Sequence, residues 1–225
     1  PPMRLIRKAV LSAGLFALAG VSVAGDIKGQ VIMSKPPAPR PVTVNNDKEH
    51  CTSKGEQVYT DVIVNPKGGG VRNVVVWLRP DSDDRKEPFP ADKITKRPPQ
   101  ALVIDQPCCQ FEPRVLAAQA GDTLEIKNSA PVPHNINVAG DAANVQFNVT
   151  IPPGKSHKVD GTLAAQTTPI PFKCDIHQWM QGRIRVFDHP YFAVTDADGK
   201  FEIRDAPVGR WRLVVWHENG FHKGR

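Results

Sequence analysis

Beyond residue 24 the sequence alternates apolar and polar residues with a period of two, and this rhythm limits the available folds more than any other feature. Runs such as Thr123-Leu124-Glu125-Ile126-Lys127, Phe147-Asn148-Val149-Thr150-Ile151, Arg183-Ile184-Arg185-Val186 and Lys200-Phe201-Glu202-Ile203 bury one side chain and expose the next, as a half-buried strand does. Turn signals separate them: Gly68-Gly69-Gly70, Ala120-Gly121-Asp122, Pro152-Pro153-Gly154, Ala197-Asp198-Gly199 and Pro207-Val208-Gly209. The 225 residues include 17 Gly and 22 Pro spread without a fixed period, which excludes a collagen-like repeat and favours short strands joined by tight turns. The expectation is an all-β chain built as a β-sandwich.

Residues 1–24 break the rhythm. Met3-Arg4-Leu5-Ile6-Arg7-Lys8 is a basic start, the stretch after it is almost wholly small or apolar, and Ser22-Val23-Ala24 offers the small residues a signal peptidase reads. A secretory signal peptide over 1–24, cleaved before Gly25, is expected, with Pro1 and Pro2 set aside as an artefact of the start site. A retained membrane anchor is the alternative, although the stretch is short for a bilayer. Removing Arg4, Arg7 and Lys8 lowers the formal net charge from +6 to +3, which takes away most of the case for nucleic-acid binding. The expected location is periplasmic or secreted, with no membrane span after cleavage.

Residues 80–100 carry Asp, Arg, Lys and several prolines around little apolar material, so an exposed connection without a core of its own is expected there. After it, Phe192-Ala193-Val194-Thr195-Asp196-Ala197-Asp198-Gly199-Lys200-Phe201-Glu202-Ile203 and Ala206-Pro207-Val208-Gly209-Arg210-Trp211-Arg212-Leu213-Val214-Val215-Trp216 resemble the second half of a carboxypeptidase-regulatory-like (transthyretin-like) β-sandwich. Residues 29–78 resemble the first half more loosely. The resemblance implies a nested order: 25–100 as the first part of that sandwich and the linker, 101–187 as an inserted domain, and 188–225 as the second part. Side-by-side domains are the simpler alternative.

The insert ends in Phe172-Lys173-Cys174-Asp175-Ile176-His177-Gln178-Trp179-Met180-Gln181-Gly182, a Cys-x2-His-x2-Met cluster in one short turn before a strand, and Pro133-His134-Asn135 stands upstream. Taken singly, such a Cys or Met is usually core and such a His usually a surface or satisfied residue. Together, a thiolate, two imidazoles and a thioether are the donors of a blue-copper site: sulfur suits Cu(I), imidazole suits both oxidation states, and a long axial Met bond tunes the potential. Zinc held by two imidazoles and a thiolate is the chemical alternative, against which a Met ligand argues. A dinuclear copper site needs a second Cys in the loop, and 175–180 contain none.

These motifs resemble the cupredoxins, the blue-copper family of plastocyanin and amicyanin, over residues 111–186. Ala120-Gly121-Asp122-Thr123-Leu124-Glu125-Ile126-Lys127-Asn128 is similar to the family's strand before the first ligand, and the short Cys-x2-His-x2-Met loop is similar to that of amicyanin. The resemblance implies a Greek-key sandwich with His134, Cys174 and His177 as strong equatorial ligands and Met180 as the weak axial one. It implies one type 1 copper ion, with the backbone amide of Asn135 donating to the Cys174 sulfur. The flanks resemble proteins that fuse a cupredoxin to a regulatory-like sandwich, some of them methylamine-utilisation-like, and they carry no substrate or partner with them.

Of the other cysteines, Cys51 is expected to pair in an oxidising compartment with Cys108 or Cys109. Cys109 is favoured because Cys109-Gln110-Phe111-Glu112-Pro113 begins an alternating strand, and a vicinal Cys108–Cys109 bond is the alternative. His189, His217 and His222 match no ligand spacing and are read as ordinary surface or turn histidines, with a second metal site formed by the three as the alternative. The sequon Asn148-Val149-Thr150 falls in an alternating strand and is discounted. The cupredoxin resemblance implies that Trp179, Pro131 and Pro133 form an apolar patch around an exposed edge of His177, where a redox protein would dock; loop packing alone is the other reading of these residues. No catalytic motif is present, so the expected function is one-electron carriage rather than catalysis. A copper carrier or storage protein, and a non-redox cell-surface structural or adhesive sandwich, are the competing expectations.

Overall fold

A computed structural model describes residues 24–35, 38, 40–54, 58–59 and 63–218. The signal peptide expected at 1–24 lies outside the described residues except for Ala24, and so does His222. The first part of the chain holds β1 (Gly25–Gln30), β2 (Arg40–Pro41), a one-turn helix α1 (Lys48–Cys51), β3 (Val58–Tyr59) and β4 (Val75–Pro80). After a 3-10 turn at Ala91–Lys93 come β5 (Ala101–Ile104), β6 (Val115–Gln119), β7 (Thr123–Lys127), β8 (His134–Ala139), β9 (Gln146–Ile151), β10 (Ser156–Lys158), β11 (Ile170–Lys173) and β12 (Gln181–Phe187). The last part adds β13 (Phe192–Val194), β14 (Lys200–Ala206) and β15 (Trp211–Trp216). The chain is all-β, and no described helix is long and apolar enough to cross a membrane.

Residues 101–187 fold as a two-sheet sandwich. One sheet has the order β6-β12-β11-β8-β9 and the other β10-β7-β5. β6 runs parallel to β12 and β5 parallel to β7, while the remaining pairs are antiparallel. The period-two pattern does what it dictates: Phe172, Ile184 and Val186 from the large sheet meet Ile104, Leu124 and Ile126 from the small one in a single core. Each such side chain contributes roughly 1.5–3 kcal/mol on full burial. Phe172 meets Phe111 edge to face at 4.9 Å. Gly182 in β12 makes room for that ring, since a Cβ there would stand 2.2 Å from Phe172 Cζ and 2.4 Å from the Arg114 carbonyl oxygen.

The strands before and after this sandwich pair with each other. β1 is antiparallel to β14, and β4 is flanked by β13 and β15. Between these two small sheets lies a second core with Val74, Val76, Leu78, Tyr191 and Ile203. The turn into β14 needs Gly199, at φ +75°, where a Cβ would stand 2.3 Å from the Val31 carbonyl oxygen. The other face of the β13-β4-β15 sheet carries Val75 and Trp216 against Val115 and Phe187 of the central sandwich. Burial on both faces explains why Val74-Val75-Val76-Trp77-Leu78 is continuously apolar rather than alternating.

The connection 81–100 is exposed along most of its length and has no core of its own, but it lends one side chain to the outer core. Phe89 is buried in the outer core, stacked on Trp211 at 4.5 Å and close to Tyr191 at 5.2 Å. The Tyr191 hydroxyl donates to the Lys93 carbonyl oxygen at 2.6 Å and accepts from the Thr95 amide at 2.9 Å. Composition averaged over the segment hides one aromatic that fits an aromatic slot. At the far end Arg97 grips Asp122 with two hydrogen bonds of 2.8 and 2.6 Å. Burial opposes ionisation of Asp122, but Arg97 and the amides of Gln100 and Gln119 outweigh it and hold the carboxyl below its usual range.

Candidate metal centre

The histidine arm of the site is set by a buried asparagine. Asn128 donates through Nδ2 to the carbonyl oxygens of Val132 at 2.9 Å and Ile151 at 2.8 Å, and its Oδ1 accepts from the Ala130 amide at 3.0 Å. These three bonds fold 128–133 back onto β9 and deliver His134 at the first position of β8, opposite Ile151. The other arm is the turn 174–180 between β11 and β12, whose ends are in register through Lys173 and Gln181. The turn closes on itself: the Cys174 amide donates to the Met180 carbonyl oxygen at 3.0 Å, and the Met180 amide to that of His177 at 2.8 Å.

β11 also pairs with β8, Phe172 opposite Val138 and Lys173 opposite Asn137, and this brings the two arms together. Nδ1 of His134 lies 3.0 Å from Nδ1 of His177, and the Cys174 sulfur lies 3.9 Å from the latter. One donor atom from each of His134, Cys174 and His177 lies within 4.8 Å of the other two. His134, Cys174 and His177 are fully buried and Met180 is 2% exposed, in the same core as Cys174.

The residues fit a soft transition-metal ion. Burial, with the neighbouring His177 adding to it, pushes the His134 imidazole down to about 4, so the ring is neutral near pH 7 and has a lone pair to give. Burial also lowers His177, against the pull of Asp47. The His134 ring turns its Nδ1 to the convergence point, while its Nε2 is buried without a hydrogen-bond partner on the far side of the ring. Two neutral imidazoles and a buried thiol converging on one point form a donor set suited to copper or zinc.

Asn135 acts through its side chain. The backbone amide that reaches the Cys174 sulfur is that of His177, at 3.4 Å, in place of the Asn135 amide expected from sequence. Asn135 Oδ1 instead accepts from the Asp175 amide at 2.6 Å, and its Nδ2 donates to Asn148 Oδ1. Asn148 and Asn137 both donate to Asp175 Oδ2, at 3.0 and 3.2 Å. Lys173 foremost, then Asn137 and Asn148, hold the Asp175 carboxyl below its usual range. The loop is thus clamped to β8 and β9 from outside, and the Asn148 side chain of the sequon is occupied in the clamp.

The expectation of an exposed His177 edge does not hold. The ring is fully buried, and its Nε2 lies 3.0 Å from Asp47 Oδ2. Asn46 Nδ2 donates to the Ile176 carbonyl oxygen at 2.8 Å, and Cys51 is joined to Cys109. Cys108 is a free, buried cysteine. The sulfurs of the disulfide lie close to the His177 ring but, bonded to each other, they are not thiolate donors. Trp179 is half-buried, its indole N–H donating to the Cys109 carbonyl oxygen at 3.1 Å and its ring set edge-on to His177 at 5.2 Å. Pro131 and Pro133 are exposed.

Asp47 and Asn46 carry no motif, and Asn128 stands at the end of the strand pattern 120–128 with nothing to mark its three hydrogen bonds. The expected pairing of Cys51 with Cys108 or Cys109 was the one sign that the first part of the chain reaches the insert. Among the described residues no metal-holding group includes His189 or His217. His189 lies in the turn between β12 and β13 but is buried there against Phe89, Phe187 and Tyr191 rather than at the surface.

No family model and no curated protein matches the chain. Among solved structures, a purple cupredoxin from Nitrosopumilus maritimus is similar at 22% identity and a TM-score of 0.32, over 37% of this chain and 97% of that one. A reduced amicyanin variant is similar at 19% identity and a TM-score of 0.33, over 49% of this chain and 98% of that one. A copper-containing nitrite reductase from Thermus scotoductus is similar at 21% identity and a TM-score of 0.34, over 48% of this chain and 27% of that one. The chain thus spans about a quarter of the reductase. At such scores the functional reading rests on the geometry of the site itself.

Proposed function

We propose that this chain is a periplasmic or secreted one-electron carrier with a single type 1 copper ion held by His134, Cys174 and His177, and by Met180 as a weak fourth ligand. The observation that carries the reading is the convergence of the His134 Nδ1, His177 Nδ1 and Cys174 sulfur atoms at a fully buried point. Copper, when bound, supplies the one-electron couple. The protein's part is to keep the donors in one place: Asn128 fixes His134, the turn hydrogen bonds fix Cys174 and Met180, and the Asp175 clamp fixes the loop between them. Ligands that do not move when the ion changes charge keep reorganisation small, and burial excludes water that would otherwise coordinate.

A redox protein is proposed to dock beside the loop, at Pro131, Pro133 and Trp179. The outer strands, in this reading, form a regulatory-like sandwich fused around the electron-transfer domain. Voltammetry of the copper-loaded protein tests the carrier reading against a copper carrier or storage protein. Reversible cycling at one electron per chain without metal loss is expected, and release of copper on reduction would contradict it. With a partner in hand, Pro131→Glu is expected to slow electron transfer while leaving the visible spectrum unchanged.

A further inference from the structure

Residues 46–51 lie over the ring edge of His177, and their construction centres on one carboxylate. Asp47 occupies the position before α1, where an aspartate ordinarily turns its side chain to the free backbone amides of the first turn. Here it makes no such bond. Its backbone is held in the left-handed region, at φ 46° and ψ 38°, which is unfavourable for a residue with a Cβ although Asp tolerates it better than most. The carboxylate points to His177 Nε2 at 3.0 Å. Two further ties keep the segment in place: Asn46 bonds to the Ile176 carbonyl oxygen, and the disulfide fixes the end of α1 at Cys109.

The proton inventory gives this contact a purpose. With the Asp47 carboxylate oxygen as the acceptor of this contact, the hydrogen belongs to His177 Nε2, and a neutral ring then keeps its lone pair on Nδ1. That lone pair faces His134 Nδ1 at 3.0 Å, which therefore donates in the metal-free protein and leaves the orphaned His134 Nε2 as an acceptor. Resting on the copper reading for its functional meaning, the geometry points to Asp47 as a positioning residue: it fixes the His177 tautomer with Nδ1 directed to the metal and closes the ring edge to contact with a protein partner. A carboxylate behind a ligating imidazole orients the ring and raises its basicity. A partner docked at Pro131 and Pro133 then meets the rim of the site rather than the His177 ring.

Nitrogen-resolved proton NMR of the metal-free full chain reads this directly. The native protein is expected to show the His177 Nε2–H tautomer with a ring proton that exchanges slowly with water. Asp47→Asn keeps an acceptor oxygen and tolerates the left-handed backbone, so the tautomer is retained. Asp47→Gly relaxes the backbone, preserving the fold, and removes the acceptor, so the slow proton is lost. An Nδ1–H tautomer in the native chain, or a slow Nε2 proton that survives in Asp47→Gly, would overturn the inference. If the NMR pattern holds while the protein gives no thiolate-to-copper absorption, the role of Asp47 in fixing the ring stands and the copper reading alone falls.

Discussion

The Nδ1 atoms of His134 and His177 face each other at 3.0 Å although the residues are 43 positions apart. The contact exists because β8 and β11 are neighbours in one sheet, so that a residue at the start of one strand meets the turn that follows the other. Neither ring is exposed, and the buried point between them sets the chemistry on which the account rests.

Asn128 is the residue most responsible for placing His134. Asn128→Ala removes three hydrogen bonds and leaves two carbonyls and an amide without their partner. At about 1 kcal/mol each, the metal-free protein is expected to lose about 3 kcal/mol in urea unfolding and to bind copper more weakly. A stability within about 0.5 kcal/mol of the native value would show that 128–133 hold their shape by packing alone.

The Cys51–Cys109 bridge closes a sequence separation of 58 residues. The chain-entropy estimate for such a loop is about 4 kcal/mol. The double variant Cys51→Ala, Cys109→Ala is expected to unfold at correspondingly lower denaturant and to expose the His177 ring proton to faster exchange, because α1 loses its anchor over the loop. Unchanged exchange would show that the bonds from Asn46 and Asp47 suffice.

His189 gives the outer core a pH dependence. Burial, helped by Arg185 and resisted by Asp188 and the Leu78 backbone, lowers its imidazole from 6.5 to about 4. Between those values the unfolded chain takes a proton that the folded chain does not. Stability from this group is therefore undiminished above pH 6.5, falls as pH drops through the window and is lost by up to about 3 kcal/mol near pH 4. His189→Asn retains an acceptor for the Tyr191 amide, which now donates to His189 Nδ1 at 3.1 Å. Urea midpoints at pH 7 and pH 5 are expected to differ less in this variant than in the native protein.

Gly182→Ala tests the packing behind the ligand turn. The new Cβ would meet Phe172 and the Arg114 carbonyl within 2.4 Å, and overpacking of this kind costs about 3 kcal/mol. A lowered melting temperature with disturbed Phe172 ring signals is the expected result.

The all-β fold was legible because its signal is local: most strands of the insert state their own alternation, and β9 and β11 show it in their burial, whereas β4, covered on both faces, does not. That Cys174, His177 and Met180 share one turn was equally legible, since the motif spans a single loop. Asp47 was not, because nothing in a lone aspartate shows that its carboxylate crosses to a loop 130 residues away. Of the surface or turn position expected for His189 the turn holds and the surface does not: its aromatic neighbours Phe89 and Tyr191 lie on either side of the insert, so nothing local to it signalled burial. Phe89 was hidden by the charged residues around it, and the exposed His177 edge was expected from a resemblance to chains that need not carry a segment like 46–51.

The central claim is tested most directly by titrating the purified chain with Cu(II) and following visible absorption and EPR, beside Cys174→Ser. The account predicts an intense thiolate-to-copper band that saturates at one equivalent and is absent from the variant. A colourless protein whose weak copper binding is unaffected by Cys174→Ser would contradict it and leave a structural β-sandwich as the better reading.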